Sequence, residues 1–178
     1  CERCVSACPT NAVKRDSAGL SLDLGKCLFC TECTTACPDG AIAFSRDHRL
    51  STRRREDLVL RGQSLKLAEA MDRKIKRLFG RSLKLRQVSA GGCNACEADL
   101  NVLSTIGFDL GRFGIQFVAS PRHADGVVVT GPVSENMRTA LMKTYDATPS
   151  PKLVIAVGAC AISGGPFAGQ AETHNGAT

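Results

Sequence analysis

The 178-residue sequence predicts an α/β fold, a doubly wound and mostly parallel sheet preceded by a small cysteine-rich α+β module. Three observations carry that prediction. Seven of the ten cysteines fall within residues 1–37, in a spacing that repeats. Residues 46–86 carry 14 Lys/Arg against 5 Asp/Glu, which marks a basic connector. From Leu83 onward, short apolar runs alternate with helical patterns, the rhythm of βαβ units. The predicted division is a first module over 1–45, a linker over 46–82 and a second domain over 83–178.

In the first module, residues 27–38 run Cys27-Leu28-Phe29-Cys30-Thr31-Glu32-Cys33-Thr34-Thr35-Ala36-Cys37-Pro38. Residues 1–9 repeat the pattern without its first cysteine, as Cys1-Glu2-Arg3-Cys4-Val5-Ser6-Ala7-Cys8-Pro9. The full run is C-x₂-C-x₂-C-x₃-C-P, which resembles the bacterial ferredoxins, where the fourth cysteine ligates the other of two clusters. Two copies predict two [4Fe–4S] clusters with exchanged fourth ligands. Cys27, Cys30, Cys33 and Cys8 complete one; Cys1, Cys4 and Cys37 hold the other and are one ligand short. The later trio Cys93, Cys96 and Cys160 is also one short of four. The sequence starts without methionine, so we expect a fragment cut at both termini, with a cysteine three residues before Cys1. The competing expectation is solvent or another side chain in those ligand positions.

A module of this size cannot bury an independent apolar core and needs a staple. Disulfides are the first alternative to clusters. Against them, the rest of the chain is apolar-rich with sparse cysteines, and no N-x-[ST] acceptor occurs. Zinc is the second, since C-x₂-C pairs are its usual ligands. The repeated triple ending in Cys-Pro fits iron–sulfur better. Asn11–Asp16 and Leu20–Asp23 around Ser17-Ala18-Gly19 predict a hairpin. Pro38-Asp39-Gly40 predicts a turn, followed by a strand over Ala41–Ser45.

In the linker, Leu67, Met71, Ile75 and Leu78 share one helical face, which predicts a helix over about 64–79 that packs on the next domain. Ser64 caps its start, Gly80 ends it, and Arg73, Lys74, Lys76 and Arg77 suit its C-terminal dipole. The net charge of +6 is concentrated here, but aromatics are only 4% of the chain and no recognition motif accompanies it. A solvated or partner-facing linker is therefore expected and nucleic acid is not, with an anionic membrane or protein surface as the target if the stretch binds anything. No apolar run approaches the roughly 20 residues that span a bilayer. Ser51-Thr52-Arg53-Arg54-Arg55 has no apolar stretch behind it, which rules out a twin-arginine signal.

The second domain reads as strands over Leu83–Val88, Gly114–Ala119, Gly126–Thr130 and Leu153–Val157. Helices are predicted from about Ala95 to Ser104 and, capped by Ser134, up to Ala147. Met137, Ala140, Leu141 and Tyr145 form the inner face of the second, and Pro149 and Pro151 stop it. This is a flavodoxin-like arrangement. Ligands of such sheets bind outside the carboxyl ends of the strands. Cys93 and Cys96 follow the first strand and Cys160 the fourth, so all three converge on one rim, which predicts a third cluster. Gly91, Gly92, Gly158, Gly164 and Gly165 allow close backbone approach and N–H donation to sulfur. The competing readings are a buried structural Cys160 and a phosphate loop, although neither G-x-G-x-x-G nor a P-loop is present. His48 and His174 lie in polar segments and receive no role.

Residues 83–167 resemble the iron–sulfur small subunit shared by [NiFe] hydrogenases and the 20 kDa subunit of NADH:quinone oxidoreductases. The carrying stretches are Gly92-Cys93-Asn94-Ala95-Cys96-Glu97, Arg112-Phe113-Gly114, Ala119-Ser120-Pro121-Arg122-His123-Ala124-Asp125, Thr130-Gly131-Pro132-Val133 and Val154–Ala161. The family's Gly-Cys-Pro segment with its fourth ligand does not occur before Thr178. Cys93-x₂-Cys96 is similar to the hydrogenase spacing, whereas quinone-reducing subunits carry two adjacent cysteines. The fused ferredoxin module resembles small subunits of membrane-bound group 4 [NiFe] hydrogenases and formate hydrogenlyases.

The resemblance implies an electron-transfer subunit with three [4Fe–4S] clusters and no complete active site of its own. Its implied partners are a nickel-bearing large subunit, membrane-anchored subunits and an electron donor or acceptor protein. The implied location is cytoplasmic and peripheral, on the inner face of the cell membrane. Gly92 and Gly158 are implied at the third cluster. Arg122 and His123 are implied to face that cluster and the large subunit, against a simple loop salt bridge or cap. Glu97 is implied in proton transfer, against an ordinary carboxylate favoured by a helix N-terminus. Two other readings stay open: a quinone-reducing subunit of an NADH:quinone oxidoreductase-like complex, and a stand-alone ferredoxin-like carrier.

Overall fold

The computed structural model describes residues 1–62, 65–67 and 82–178. The chain folds into two compact units, Cys1–Glu69 and Ala70–Thr178. The helix expected over about 64–79 lies, apart from 65–67, outside the described residues.

The first unit pairs two short helices, α1 (Arg3–Ala7) and α2 (Glu32–Thr35), with a three-stranded antiparallel sheet. β1 (Val13–Asp16) and β2 (Gly19–Asp23) form the expected hairpin. β1 starts later than expected because Asn11 adopts a left-handed φ of 52°. The turn is steadied by Ala18 N–H, which donates to Asp16 Oδ1 at 2.9 Å. The third strand is β3 (Val59–Leu60), antiparallel to β2. These residues sit in the stretch read from sequence as linker. A bidentate ion pair brings them back, Arg55 Nη1 to Asp23 Oδ1 at 2.8 Å and Nη2 to Oδ2 at 2.6 Å. Such a fork combines charge with fixed geometry. Behind it Leu58 is buried and its carbonyl accepts Leu24 N–H.

The strand expected over Ala41–Ser45 does not form. Ala41 N–H donates to Cys37 Sγ instead of to a ladder, and β3 takes the place beside β2. Ile42 still turns inward, onto a core of Cys4, Val13 and Cys33 that Val5, Cys8 and Leu22 complete. Three of the seven residues of this core are cysteines.

The second unit is built on four parallel strands in the order β5–β4–β6–β7. They are β4 (Leu83–Ser89), β5 (Ile115–Phe117), β6 (Gly126–Thr130) and β7 (Leu153–Val157). That order is the beginning of the flavodoxin-like one, with its switch point between β4 and β6. β6 is buried along its whole length, which is why it reads as an unbroken valine run. Its alternate residues serve two cores. Val127 and Val129 join Val88, Ala90 and Val133 under Met137 and Leu141 of α4 (Glu135–Ala147). Val128 joins Leu83, Leu85 and Leu100 of α3 (Ala95–Val102), with Ile155 and Val157 from β7. The sheet is covered on both faces, as doubly wound topology demands.

Details depart from the sequence reading. α3 ends two residues early in a turn, and β5 is only three residues long. On α4, Ala140 and Tyr145 are exposed rather than inward, and the Lys152 ammonium stands 3.8 Å over the Tyr145 ring. Ser134 occupies the N-cap position, but its side chain makes no cap hydrogen bond. Its Oγ packs on Gly91, 2.5 Å from where a Cβ there would stand.

The amino end of the sheet is tied by Asp125, which is buried. Its carboxylate accepts Lys84 N–H at 2.8 Å, its own N–H donates to Lys84 O at 2.6 Å, and its carbonyl accepts Leu153 N–H at 3.0 Å. One residue therefore pins β4, β6 and β7 in register. Asp125→Ala should cost the second unit about 1.5–3 kcal/mol, the usual worth of a buried hydrogen bond to a charged group. Urea unfolding of the purified chain checks it, as a lower midpoint at unchanged slope.

Candidate metal centres

In the first unit, Cys8, Cys27, Cys30 and Cys33 gather around one small pocket, whose wall Val13, Leu22, Leu28 and Phe44 complete. These are the four residues that the exchanged-ligand pattern groups. The loop from Cys27 can curl around them because Phe29 and Thr31 take left-handed φ angles of 55° and 65°. That curl turns the Phe29 N–H onto Cys27 Sγ at 3.3 Å. On the other side Ala12 N–H donates to Cys8 Sγ at 3.2 Å. The Phe29 and Phe44 rings meet at 6.0 Å, tilted by 57°.

Burial pushes the Cys27 and Cys33 thiols above their ordinary range, and the thiolates around them, those of Cys8 and Cys30 among them, push further. For Cys8 burial acts the same way, but the N–H groups of Val13, Thr10 and Ala12 outweigh it and hold that thiol low. A site of crowded thiolates that repel one another and accept N–H bonds fits a cationic iron core. Among the described residues no three His, Cys, Asp or Glu side chains converge as a single metal ion requires.

Cys4 is buried on α1, Cys1 is exposed, and Cys37 follows α2 with Sγ accepting Ala41 N–H at 3.3 Å. That bond holds the Cys37 thiol below its usual range, against a smaller effect of burial. Cys4 shares the core of Cys33 and Cys8. The grouping of Cys1, Cys4 and Cys37 on one cluster rests on spacing alone.

In the second unit the carboxyl ends of β4, β6 and β7 meet. Cys93 and Cys96 lie in the loop and first turn after β4, and Cys160 lies in α5 (Gly158–Ser163) directly after β7. The thiols of Cys96 and Cys160 are raised, first by burial and then by neighbouring negative charge. For Cys96 these neighbours are Glu97 and Cys93; for Cys160 they are Cys96 and Cys93. Cys160, more than sixty residues from the other two in sequence, thus feels the charge of both. Gly158, at φ 85°, leaves the Cys96 sulfur room: a Cβ there would stand 2.5 Å from Sγ. Gly165 does the same for Cys160, at 3.0 Å. Gly92 packs on the loop after β6, where Gly131 makes the contact. The donors are again thiols, and the glycine cradle fits a bulky inorganic core in place of side chains.

Glu97 is buried at 6% exposure. Its Oε1 accepts the Ser89 hydroxyl at 2.6 Å and the Thr130 hydroxyl at 2.7 Å. Burial pushes its pKa up, but these two bonds outweigh that, and the carboxyl sits below its ordinary range. The sequence reading missed Ser89 and Thr130. The available signal was a polar residue closing each of two apolar runs.

Arg122 and His123 are exposed in a single 3₁₀ turn, Pro121–His123. β5 ends and β6 begins opposite the same residue, Leu85, four positions before the end of β4. The crossover between them therefore passes beside the lower half of β4. An apolar groove of 440 Å³ between α4 and the β6–β7 edge, lined by Leu141, Tyr145 and Val154 among others, contains no cysteine.

A ferredoxin-like module of clustered thiols and a flavodoxin-like domain with three more thiols on its carboxyl rim define an iron–sulfur protein. Residues 1–41 match the 4Fe-4S dicluster domain. Residues 93–177 match the family described as NADH ubiquinone oxidoreductase, 20 Kd subunit.

Among curated relatives, the probable membrane-bound hydrogenase subunit mbhJ of Pyrococcus furiosus is 42% identical over 91 residues, 51% of this chain and 54% of that protein. Formate hydrogenlyase subunit 7 of Escherichia coli is 44% identical over 87 residues, 49% of this chain and 34% of that one. An NADH-quinone oxidoreductase subunit of Bacteroides thetaiotaomicron is 40% identical over 100 residues, 55% of this chain and 50% of that one. The chain thus spans about half the length, or less, of these relatives. A chain of the membrane-bound sulfane sulfur reductase, an archaeal respiratory membrane complex, aligns with a TM-score of 0.47 at 30% identity, over 59% of this chain and 55% of that chain. No helix among the described residues is long and apolar enough to cross a membrane.

The glycine cradle makes a direct prediction. Gly158→Ala should lower second-unit stability by more than about 1 kcal/mol, the scale for a side chain forced into a left-handed position. It should also lower the iron bound per chain, because the new Cβ displaces the Cys96 sulfur. Denaturant unfolding and iron analysis of the same preparation check both.

Proposed function

We propose that this chain is the iron–sulfur electron-transfer subunit of a membrane-bound, hydrogenase-type complex. The observation that carries the reading is the meeting of Cys93, Cys96 and Cys160 on one rim, behind a module that gathers Cys8, Cys27, Cys30 and Cys33. The Cys93-x₂-Cys96 spacing supports the hydrogenase branch, as does similarity to mbhJ and to formate hydrogenlyase subunit 7. Three [4Fe–4S] clusters are proposed, two in the first unit and one in the second. When bound, they supply one-electron transfer at potentials set by ligands, burial and hydrogen bonds to sulfur.

The chain's own residues do the rest. Cys8, Cys27, Cys30 and Cys33 hold one group, Cys1, Cys4 and Cys37 take part in the second, and Cys93, Cys96 and Cys160 in the third. Phe44, Leu28 and Val13 line the first. Ala12, Phe29 and Ala41 donate N–H bonds to cysteine sulfur. Gly92 and Gly158 keep side chains off the third. The partners are a nickel-bearing large subunit, membrane-anchored subunits and an electron donor or acceptor protein, with this subunit peripheral on the cytoplasmic face.

One observation favours a second reading, a quinone-reducing subunit: the 40% identity to the NADH-quinone oxidoreductase subunit. Nickel decides between them. Purification of the complex through a tag on the full-length subunit should bring down a large subunit containing nickel. A nickel-free complex that reduces quinone establishes the second reading, and a chain that recovers no partner establishes a stand-alone carrier. For the cluster count, iron and sulfide analysis with paramagnetic resonance should give three cubanes per full-length chain. Cys160→Ala should remove about one third of the iron and one signal, in proportion to the cluster it helps to hold. Two cubanes and a silent Cys160→Ala would overturn the third site.

A further inference from the structure

Glu97 is the third residue of α3 and directly follows Cys96. Its two hydroxyl partners come from different strands: Ser89 closes β4 and Thr130 closes β6, and the two are register partners across the switch point. Thr130 is fully buried and Glu97 nearly so, whereas Ser89 is exposed. Thr130 has one hydroxyl proton and two acceptors in range, Val88 O at 3.4 Å and Glu97 Oε1 at 2.7 Å. The shorter contact takes it. Ser89 gives its proton to the same oxygen at 2.6 Å. Oε1 thus accepts two hydroxyl protons at once. The cysteine loop closes over this group, for a Cβ on Gly92 would lie 3.1 Å from Oε1.

We propose that Ser89 and Thr130 are positioning residues for the Cys93/Cys96/Cys160 site, acting through Glu97. The hydroxyl pair clasps the start of α3 to the ends of two strands. It thereby fixes the Cys96 sulfur in the space left by Gly158, and outer partners that orient a ligand tune the group that the ligand holds. This role rests on the third site proposed above.

The test is redox titration, followed by paramagnetic resonance, on the full-length subunit in its complex. Glu97→Ala removes the acceptor of both hydroxyls; its third-cluster potential should move from wild type, or its signal be lost, whereas Glu97→Gln, which keeps an oxygen for both, should retain the signal. Thr130→Val removes one hydroxyl at equal size; the potential should move from wild type, or the signal be lost, and Thr130→Ser should restore it. Ser89→Ala should move it in the same sense as Thr130→Val. Unchanged potentials in Glu97→Ala and Thr130→Val, with the signal intact, overturn the inference. So does a Thr130→Ser variant that behaves like Thr130→Val, because packing rather than the hydroxyl is then what matters. Absence of the third signal from wild type itself defeats the cluster site beneath the inference, and is distinguishable from both.

Discussion

Buried thiolates repel one another, and both units are arranged around that repulsion. Cys27, Cys33, Cys96 and Cys160 are each made harder to ionise, first by burial and then by negative neighbours. Nothing in an apolar core rewards such crowding. What offsets it in the first unit is a set of backbone N–H groups turned toward sulfur, strong enough at Cys8 and Cys37 to reverse the sign. A cationic core completes the balance, and its binding energy becomes folding energy for a module whose own apolar core is small and shared with cysteines.

The two units solve the gathering problem differently. In the first, three of the four pocket cysteines lie within seven consecutive residues, and left-handed turns at Phe29 and Thr31 bend that short stretch around a centre. In the second, the sheet does the gathering. Parallel register places the ends of β4, β6 and β7 together, and glycines after each strand let the loops approach one another and the sulfurs. Asp125 at one end and the Ser89–Glu97–Thr130 clasp at the other fix that register. Both are buried carboxylates satisfied by hydrogen bonds, the condition under which such groups persist.

This difference explains what was legible in the sequence. A site built from local spacing can be read directly, and the four cysteines that the spacing groups, Cys8, Cys27, Cys30 and Cys33, are those that line the pocket. β6 and β7 were legible because apolar runs closed by glycine or proline have few other solutions. Ala41–Ser45 has a strand's composition, but its first N–H belongs to the Cys37 sulfur, a competition that no propensity records. β3 is two residues long inside a charged stretch and is held by Arg55, whose partner Asp23 lies 32 positions earlier. The placement of Arg122 and His123 turns on a register fact, that Phe117 and Gly126 both stand opposite Leu85. Strand composition alone does not contain that fact.

A locally built site and a sheet-built site also respond differently to damage. The pocket of the first unit depends on a few turns, so substitutions distant in sequence reach it only through β2, β3 and the Arg55–Asp23 fork. The rim site depends on the strand register, so a change at the far end of the sheet, at Asp125 or at Gly126 where a Cβ would meet Leu153 O at 2.7 Å, is transmitted to the cysteines through β6 itself. Close-packed interiors carry strain in this way because they have no slack to absorb it. The second unit's chemistry is therefore only as well defined as its sheet, and Thr130, at once the last residue of β6, fully buried and a donor to Glu97, is where the two meet.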